Sequence, residues 1–275
     1  MNGAAAEIEY DSAARRPRAL EEIAELRAHA GLIRALVERN LKVRYKRSVL
    51  GFLWTMMNPL FMLVALSLAF RLAFAAYAPT YPAYVFPALL LWNFFAQTTT
   101  IAGEEMTNGG ELWRRVRFPK TALAISTLIT GAINLLLALV PLIAVLAVMR
   151  RPLGLALLTL PLTIALASLF ILGMALIVAT GALYFPDVVP LWSMLLPALM
   201  FTAPIVYPAE ILPPSFRALL RFHPMALYVD AFRAPLYRNQ IPSGSFLAMF
   251  AVGAVTLAAG WLLFTRSADD IAYRA

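Results

Sequence analysis

Cysteine is absent from the 275 residues. That excludes disulfides, thiolate nucleophiles and cysteine-based metal sites. Charge is scarce as well: Asp, Glu, Lys and Arg make up 14% of the chain, where a soluble domain carries about 25%. The remainder is 61% hydrophobic with a mean hydropathy of +0.75, the composition of a polytopic membrane protein. The length permits one membrane domain without a second globular one.

Several chemistries are missing. A carrier coupled to protons or sodium buries acids near mid-membrane, but the long apolar runs hold almost none. Glu104 and Glu105 lie at the end of one run and Asp187 between two others. A P-loop needs glycines followed by Gly-Lys-Ser/Thr to cradle phosphates. The sole Lys-Ser/Thr pair, Lys120-Thr121, follows Pro119 instead, so any ATPase is expected on another chain. The two histidines, His29 and His223, have no Asp, Glu or Ser constellation beside them in sequence and read as caps or headgroup contacts, not catalysts. Asp187 stands alone and Asp269-Asp270 fall in the tail, so no acid pair marks a glycosyltransferase. No metal site and no enzyme activity are expected. The first thirty residues carry six acids and no apolar stretch, so the first span is expected to act as the insertion signal.

What the chain does have is length in its apolar runs. Ser48 to Phe70 is uncharged for 23 residues, roughly 35 Å of helix against a hydrocarbon core of about 30 Å. Further spans are predicted from about Tyr84, over Thr121–Met149, within Pro152–Pro186, over Val188–Ala209 and within Asn239–Thr265. The expected fold is all-α and polytopic, with six transmembrane helices in residues 48–266. Residues 1–18 are expected to lack fixed structure, and 267–275 form a tail. With both termini inside, sixteen Lys/Arg lie on the cytoplasmic side against seven outside, as the positive-inside rule requires. The net charge of +8 lies mostly beside the spans, where anionic lipid and orientation explain it without nucleic acid.

Ahead of the spans, Leu20, Ile23, Leu26, Ala30, Ile33, Val37 and Leu41 recur at three or four positions. Residues 19–47 are therefore predicted as an amphipathic helix in the membrane interface, serving as an anchor, a docking surface or both. Two connections stand out. Residues 104–120 begin with acids, break at Gly109-Gly110 and then offer a short helix with Trp113 and several arginines. Residues 210–238 contain two runs split at His223-Pro224. Each run is too short to cross a bilayer yet rich in Leu, Phe and Tyr, as two short re-entrant helices would be.

Polar stripes mark the spans. Asn93, Gln97, Thr100 and Glu104 fall on one helical face, and Thr127, Thr130 and Asn134 on another. These groups must find partners in lipid, either between helices or along a hydroxyl-rich substrate path. Trp54 and Phe61 share a face of the first span, and Phe86, Trp92, Phe94 and Phe95 crowd the second. Aromatic faces with amides suit a sugar polymer, and they also suit an interfacial belt.

Arg44-Tyr45-Lys46, Leu50-Gly51-Phe52-Leu53-Trp54, Asn58-Pro59 and Leu91-Trp92-Asn93-Phe94-Phe95 come in an order with Val116-Arg117-Phe118-Pro119-Lys120 and Tyr184-Phe185-Pro186-Asp187. Ala203-Pro204-Ile205-Val206-Tyr207-Pro208 and His223-Pro224-Met225-Ala226 complete the series. From about Arg34 onward this resembles the permease subunit of bacterial polysaccharide-exporting ABC transporters, the Wzm/TagG-like group that handles O-antigen, capsule or teichoic acid. Phe185-Pro186-Asp187 replaces the usual Phe-Arg-Asp, which removes an arginine at that turn.

The resemblance implies a homodimer paired with two P-loop ATPase subunits that bind ATP and Mg, in the cytoplasmic (inner) membrane among its lipids. The implied substrate is an undecaprenyl-diphosphate-linked glycan. It further implies an ATPase-coupling surface at Glu111, Leu112, Trp113, Arg114, Arg115 and Arg117 with Ile33 and Val37 of the amphipathic helix. The candidate path takes Trp54, Phe61, Phe86, Asn93, Phe94, Gln97, Thr127 and Asn134. Arg44, Lys46 and Arg47 could meet a diphosphate or simply anchor the chain. Phe216, Phe222, His223, Tyr228 and Phe232 belong to an external gate. A permease for a simple lipid or drug, and a membrane scaffold without transport, are the other readings.

Overall fold

Backbone in lipid must satisfy its own hydrogen bonds, and long apolar runs with few turn residues do so as helices. The computed structural model describes residues 18–45, 53–73, 80–108, 118–215, 220 and 223–267. Among them there are helices and turns and no strand. The helices are α1 (Arg18–Ala28), α2 (Ala30–Tyr45), α3 (Leu53–Ala73), α4 (Tyr81–Asn108), α5 (Thr121–Val148), α6 (Leu160–Tyr184), α7 (Val188–Thr202), α8 (Pro224–Arg233) and α9 (Ser243–Ser267). A tight turn, Leu155–Thr159, leads into α6, and a widened turn, Ala234–Arg238, follows α8.

The amphipathic segment read as one helix is two. It breaks at His29, whose Nδ1 lies 2.8 Å from the Glu25 carbonyl, beside Gly31, a poor helix former. Among the described residues, four segments are long and apolar enough to cross a membrane: Tyr81–Asn108, Thr121–Val148, Leu155–Tyr184 and Ser243–Ser267. The described part of α3 holds a shorter apolar stretch, Met57–Ala69. Helix α7, with 15 residues, rises roughly 22 Å, short of a hydrocarbon core of about 30 Å.

Two prolines explain why α7 stops before Ala209. Pro204 pushes Ala203 into an extended conformation (φ −89°, ψ 147°), and Pro208 bars a return to helix. Residues 203–207 then run as non-helical backbone, buried through Val206 and half-buried at Tyr207, and their carbonyls need donors from elsewhere. Three side chains supply them. Arg233 donates from Nη2 to the carbonyls of Pro204 (3.0 Å) and Ile205 (3.4 Å), and from Nε to that of Tyr84 (2.9 Å). The Tyr81 hydroxyl donates to Val206 (2.7 Å), and the Tyr84 hydroxyl lies within reach of Pro204 (3.4 Å) and Tyr207 (3.2 Å). Arg233 is 2% exposed, and its guanidinium carbon sits 3.6 Å from the centre of the Tyr84 ring.

Elsewhere the bundle is held by close packing. Helices α6 and α9 meet where Gly173 faces Gly260. A Cβ on Gly173 would lie 2.5 Å from the Leu257 backbone nitrogen, so neither residue tolerates a side chain without separating the helices. Phe95 stacks on Phe170 and Phe170 on Tyr228 (centroids 5.8 and 4.9 Å), which joins α4, α6 and α8. Trp192 of α7 donates to Thr99 of α4 at 2.9 Å. At the Asn108 end, Leu36 of α2 joins Met106, Leu123, Leu176 and Phe264 in a second apolar cluster. There Glu22 of α1 accepts from the Thr121 hydroxyl at 2.7 Å, a carboxylate at the start of α5, where the helix dipole favours it.

Arg233→Met keeps much of the side chain's apolar bulk but removes the guanidinium donors to Pro204, Ile205 and Tyr84. It is expected to lower the unfolding free energy by about 3 kcal/mol, read as a fall in melting temperature in detergent. A melting temperature equal to wild type would mean that the turn carbonyls find other donors.

Candidate functional site

Toward the Asn108 end of α4 a groove of about 380 Å³ opens between α2, α4 and α5. Its walls are Arg39, Asn40 and Val43 from α2, Gln97, Thr98, Ile101 and Glu105 from α4, and Thr127, Thr130, Gly131 and Asn134 from α5. Of the predicted path residues, Gln97, Thr127 and Asn134 come together here. The stripe predicted on α4 is turned by one residue. Gln97 is shared, but its companions are Thr98, Ile101 and Glu105 instead of Asn93, Thr100 and Glu104. Helix α4 is buried on most of its surface, so polar spacing alone did not fix which face stays open.

The groove wall is mostly apolar, and its charges are compensated. Glu105 pairs with Arg39 at 3.2 Å and accepts from the Thr127 hydroxyl at 3.0 Å, so one carboxylate ties α2, α4 and α5 together. The Thr98 hydroxyl is buried and has no hydrogen-bond partner among the described residues. A Cβ on Gly131 would come 2.6 Å from that oxygen and 2.9 Å from the Phe94 ring, so glycine keeps this part of the wall close. With a few amides and hydroxyls and a cancelled charge pair on a mostly apolar wall, the groove can hold a neutral ligand.

Other predicted residues lie elsewhere. Phe94 is buried against Gly131 behind the groove wall, and Phe86 is 0% exposed inside the core, so the aromatic crowding on α4 serves packing within the chain. Asn93 is half-buried outside the groove lining, while Phe61 is 58% exposed on α3. Trp54 lies on α3, but its side chain, like that of Arg44, is outside the described residues. So are Lys46, Arg47, Glu111 to Arg117, Phe216 and Phe222. Ile33 and Val37 do not form an exposed docking stripe. Val37 is buried and Ile33 packs against the apolar cluster around Leu36. Residues Arg34, Glu38 and Lys42, a ladder of ion pairs at four-residue spacing, are what α2 presents outward.

In the predicted gate, Tyr228 and Phe232 are fully buried, and the Tyr228 hydroxyl donates to the Met249 carbonyl at 2.6 Å. His223 caps α8: its Nδ1 accepts from the Ala226 amide at 3.3 Å, and Nε2 lies 3.2 Å from the Thr202 hydroxyl at the end of α7. Arg233, Tyr81 and Tyr84 escaped the sequence reading. The one available signal was an arginine set among Leu, Phe and Tyr in a segment with little else to pair it.

Residues 31–237 match the family model described as ABC-2 type transporter. The chain is similar to an O-antigen export system permease protein, RfbA, of Myxococcus xanthus, 31% identical over 255 residues that cover 91% of this chain and 97% of that protein. It is also similar to a protein of the same name from Klebsiella pneumoniae, 24% identical over 86% of this chain and 91% of the other.

Because the chain lacks cysteine, single thiols can map the groove. Gln97→Cys and Asn134→Cys are expected to react with a small maleimide at least about tenfold faster than the buried control Ala88→Cys; equal rates would mean the groove is closed to solvent. His223 gives a second test. Burial pushes its pKa below the ordinary 6.5, and capping needs a neutral ring. Its stabilising contribution is thus full above about pH 6.5 and is lost as pH falls toward the lowered folded value. Melting temperature is expected to drop between about pH 7 and about pH 5, with His223→Asn, still a good cap, showing a flatter profile. Identical profiles would rule out this cap as the source.

Proposed function

The chain belongs to the ABC-2 type transporter family, and on that premise we propose that it is the membrane-spanning subunit of an ATP-driven exporter. Its substrate is an O-antigen-like polysaccharide on an undecaprenyl-diphosphate carrier, moved across the bacterial cytoplasmic membrane. The observation that carries this is 31% identity, over 91% of the chain, to an O-antigen export permease. The charge-compensated groove supports it, because its mostly apolar wall with polar side chains at Gln97, Thr127 and Asn134 suits sugar rings, which have apolar faces and hydroxylated edges.

In this reading two copies assemble with two ATPase subunits that carry ATP and Mg, with both termini cytoplasmic. Six spans arise when α3, and α7 extended by the turn at 203–207, complete the four long ones. The segment 210–238 supplies short external gate helices. Glu111 to Arg117 form the coupling element, where Trp113 and the arginines have the chemistry of interface anchors. Arg44, Lys46 and Arg47 lie just beyond Arg39 and Val43 of the groove in sequence, where they would meet the carrier diphosphate.

Deleting the gene is expected to remove the polysaccharide from the cell surface and leave lipid-linked polymer inside, with wild-type chain restoring it. The ATPase is expected to co-purify with wild type and to be lost from Trp113→Ala and Arg114→Glu chains that remain folded. Unchanged surface polysaccharide in the deletion strain would overturn the export reading, and undiminished ATPase binding would move the coupling element elsewhere.

A further inference from the structure

At the Tyr81 end of α4, about 20 Å from the groove by helical rise between Tyr84 and Gln97, two pockets adjoin. One of about 230 Å³ is walled by Tyr81, Tyr84, Glu210, Tyr237 and Arg238. The other, of about 490 Å³, uses Tyr84, Glu210 and Arg238 again and adds Asp230. Because three residues belong to both, the two form one divided depression. It lies wholly within one copy of the chain.

We propose that this depression is a binding site for neutral sugar units, distinct from the inner groove, which holds the polymer at the external end of the subunit. The proposal rests on the export reading.

The charges select the ligand. Asp230 and Arg238 form a bidentate pair, with both contacts at 3.0 Å. Arg233, whose edge reaches the larger pocket, spends its donors on three backbone carbonyls. Among the described residues that line the site, Asp230 and Glu210 balance the charges of Arg238 and Arg233. A phosphate would find no surplus of positive charge among them. A neutral polyol fits: its hydroxyls donate to carboxylate oxygens, which keep acceptor capacity after pairing with arginine. Such bonds to a charged acceptor are the stronger kind. The walls match as well. The Tyr84 and Tyr237 rings meet edge to face at 5.5 Å, giving a rigid apolar surface with hydroxyl tips. The larger volume lies within the range of small-molecule sites, about 300–1,000 Å³.

The site is also fixed in place. Tyr84 and Arg233 belong to the network that holds the 203–207 turn, so the depression needs no ordering when a ligand arrives. Glu210 sits three residues beyond that turn, on the short Ala209–Ile211 turn.

The test uses the full permease–ATPase complex in lipid nanodiscs. The probe is the source bacterium's own surface polysaccharide, freed of lipid by mild acid, followed by saturation-transfer NMR. The wild-type complex is expected to bind it, with Glu210→Gln and Asp230→Asn about tenfold weaker and inorganic pyrophosphate unable to displace it. Glu210 is exposed and makes no ion pair among the described residues, so its variant separates binding from folding. No binding by wild type, equal binding by both variants, or displacement by pyrophosphate overturns the proposal. If the deletion strain lacks surface polysaccharide while any of these results holds, only the site falls. If that strain keeps its polysaccharide, the export reading falls and the site with it.

Discussion

Four consecutive carbonyls, Pro204 to Tyr207, have to be satisfied inside the protein without a helix to do it. A buried polar group left unpaired costs about 1–3 kcal/mol, so this short stretch could outweigh much of the stability of a marginal fold. The donors come from two other elements, Tyr81 and Tyr84 at the start of α4 and Arg233 at the end of α8. Helix α7 can therefore end early only where α4 and α8 are already in position. The arginine in turn survives burial because its donors meet carbonyls and its face lies on the Tyr84 ring. Turn, arginine and tyrosines form one unit that stands or falls together.

The opposite end of α4 solves a similar problem with charge. Arg39, Glu105 and Thr127 join three helices through one carboxylate, and Glu22 of α1 does the same for the start of α5. Between the two ends there is no ion pair among the described residues and packing dominates: Gly173 against Gly260, and the stack of Phe95, Phe170 and Tyr228, helped by the Trp192–Thr99 and Tyr228–Met249 hydrogen bonds. The ion-paired side chains described above thus gather at the two ends of α4. The groove and the depression lie there, and in each the charges of the described lining residues largely cancel.

Much of this was legible in the sequence. The helices over Thr121–Val148 and Leu160–Tyr184 fall within the uncharged runs that predicted them, and Ser243–Ser267 overruns its own by two residues, Arg266 among them, because run length in lipid leaves the backbone little choice. Gln97, Thr127 and Asn134 meet, since polar residues in an apolar helix must face something other than lipid. What failed were readings that needed a partner's position. Period alone placed the α4 stripe one residue away, and Ile33 and Val37, which the resemblance gave to a coupling surface, pack against the chain's own apolar residues. It ran α7 through Pro204, although the residue before a proline resists helix. Arg233 was counted as an ordinary external charge. Its partners lie 28 to 149 residues away, a distance that no local pattern spans.

Charge cancellation in both cavities also bears on how an exporter of this kind would divide its work. The proposed substrate has two chemically different parts, an anionic diphosphate and a polymer of hydroxylated rings. A single site with free cations would hold the diphosphate strongly and give the sugars little reason to enter. In this chain the Arg39–Glu105 and Arg238–Asp230 pairs neutralise the groove and the external depression, while Arg44, Lys46 and Arg47 concentrate positive charge in the sequence just beyond α2. On the export reading, the headgroup is met by point charge at the membrane surface, where lipid phosphates also lie. The sugars then meet weak, neutral, hydrogen-bonding walls. Weak walls are what passage requires, because a polymer held tightly at any one point along its route could not advance.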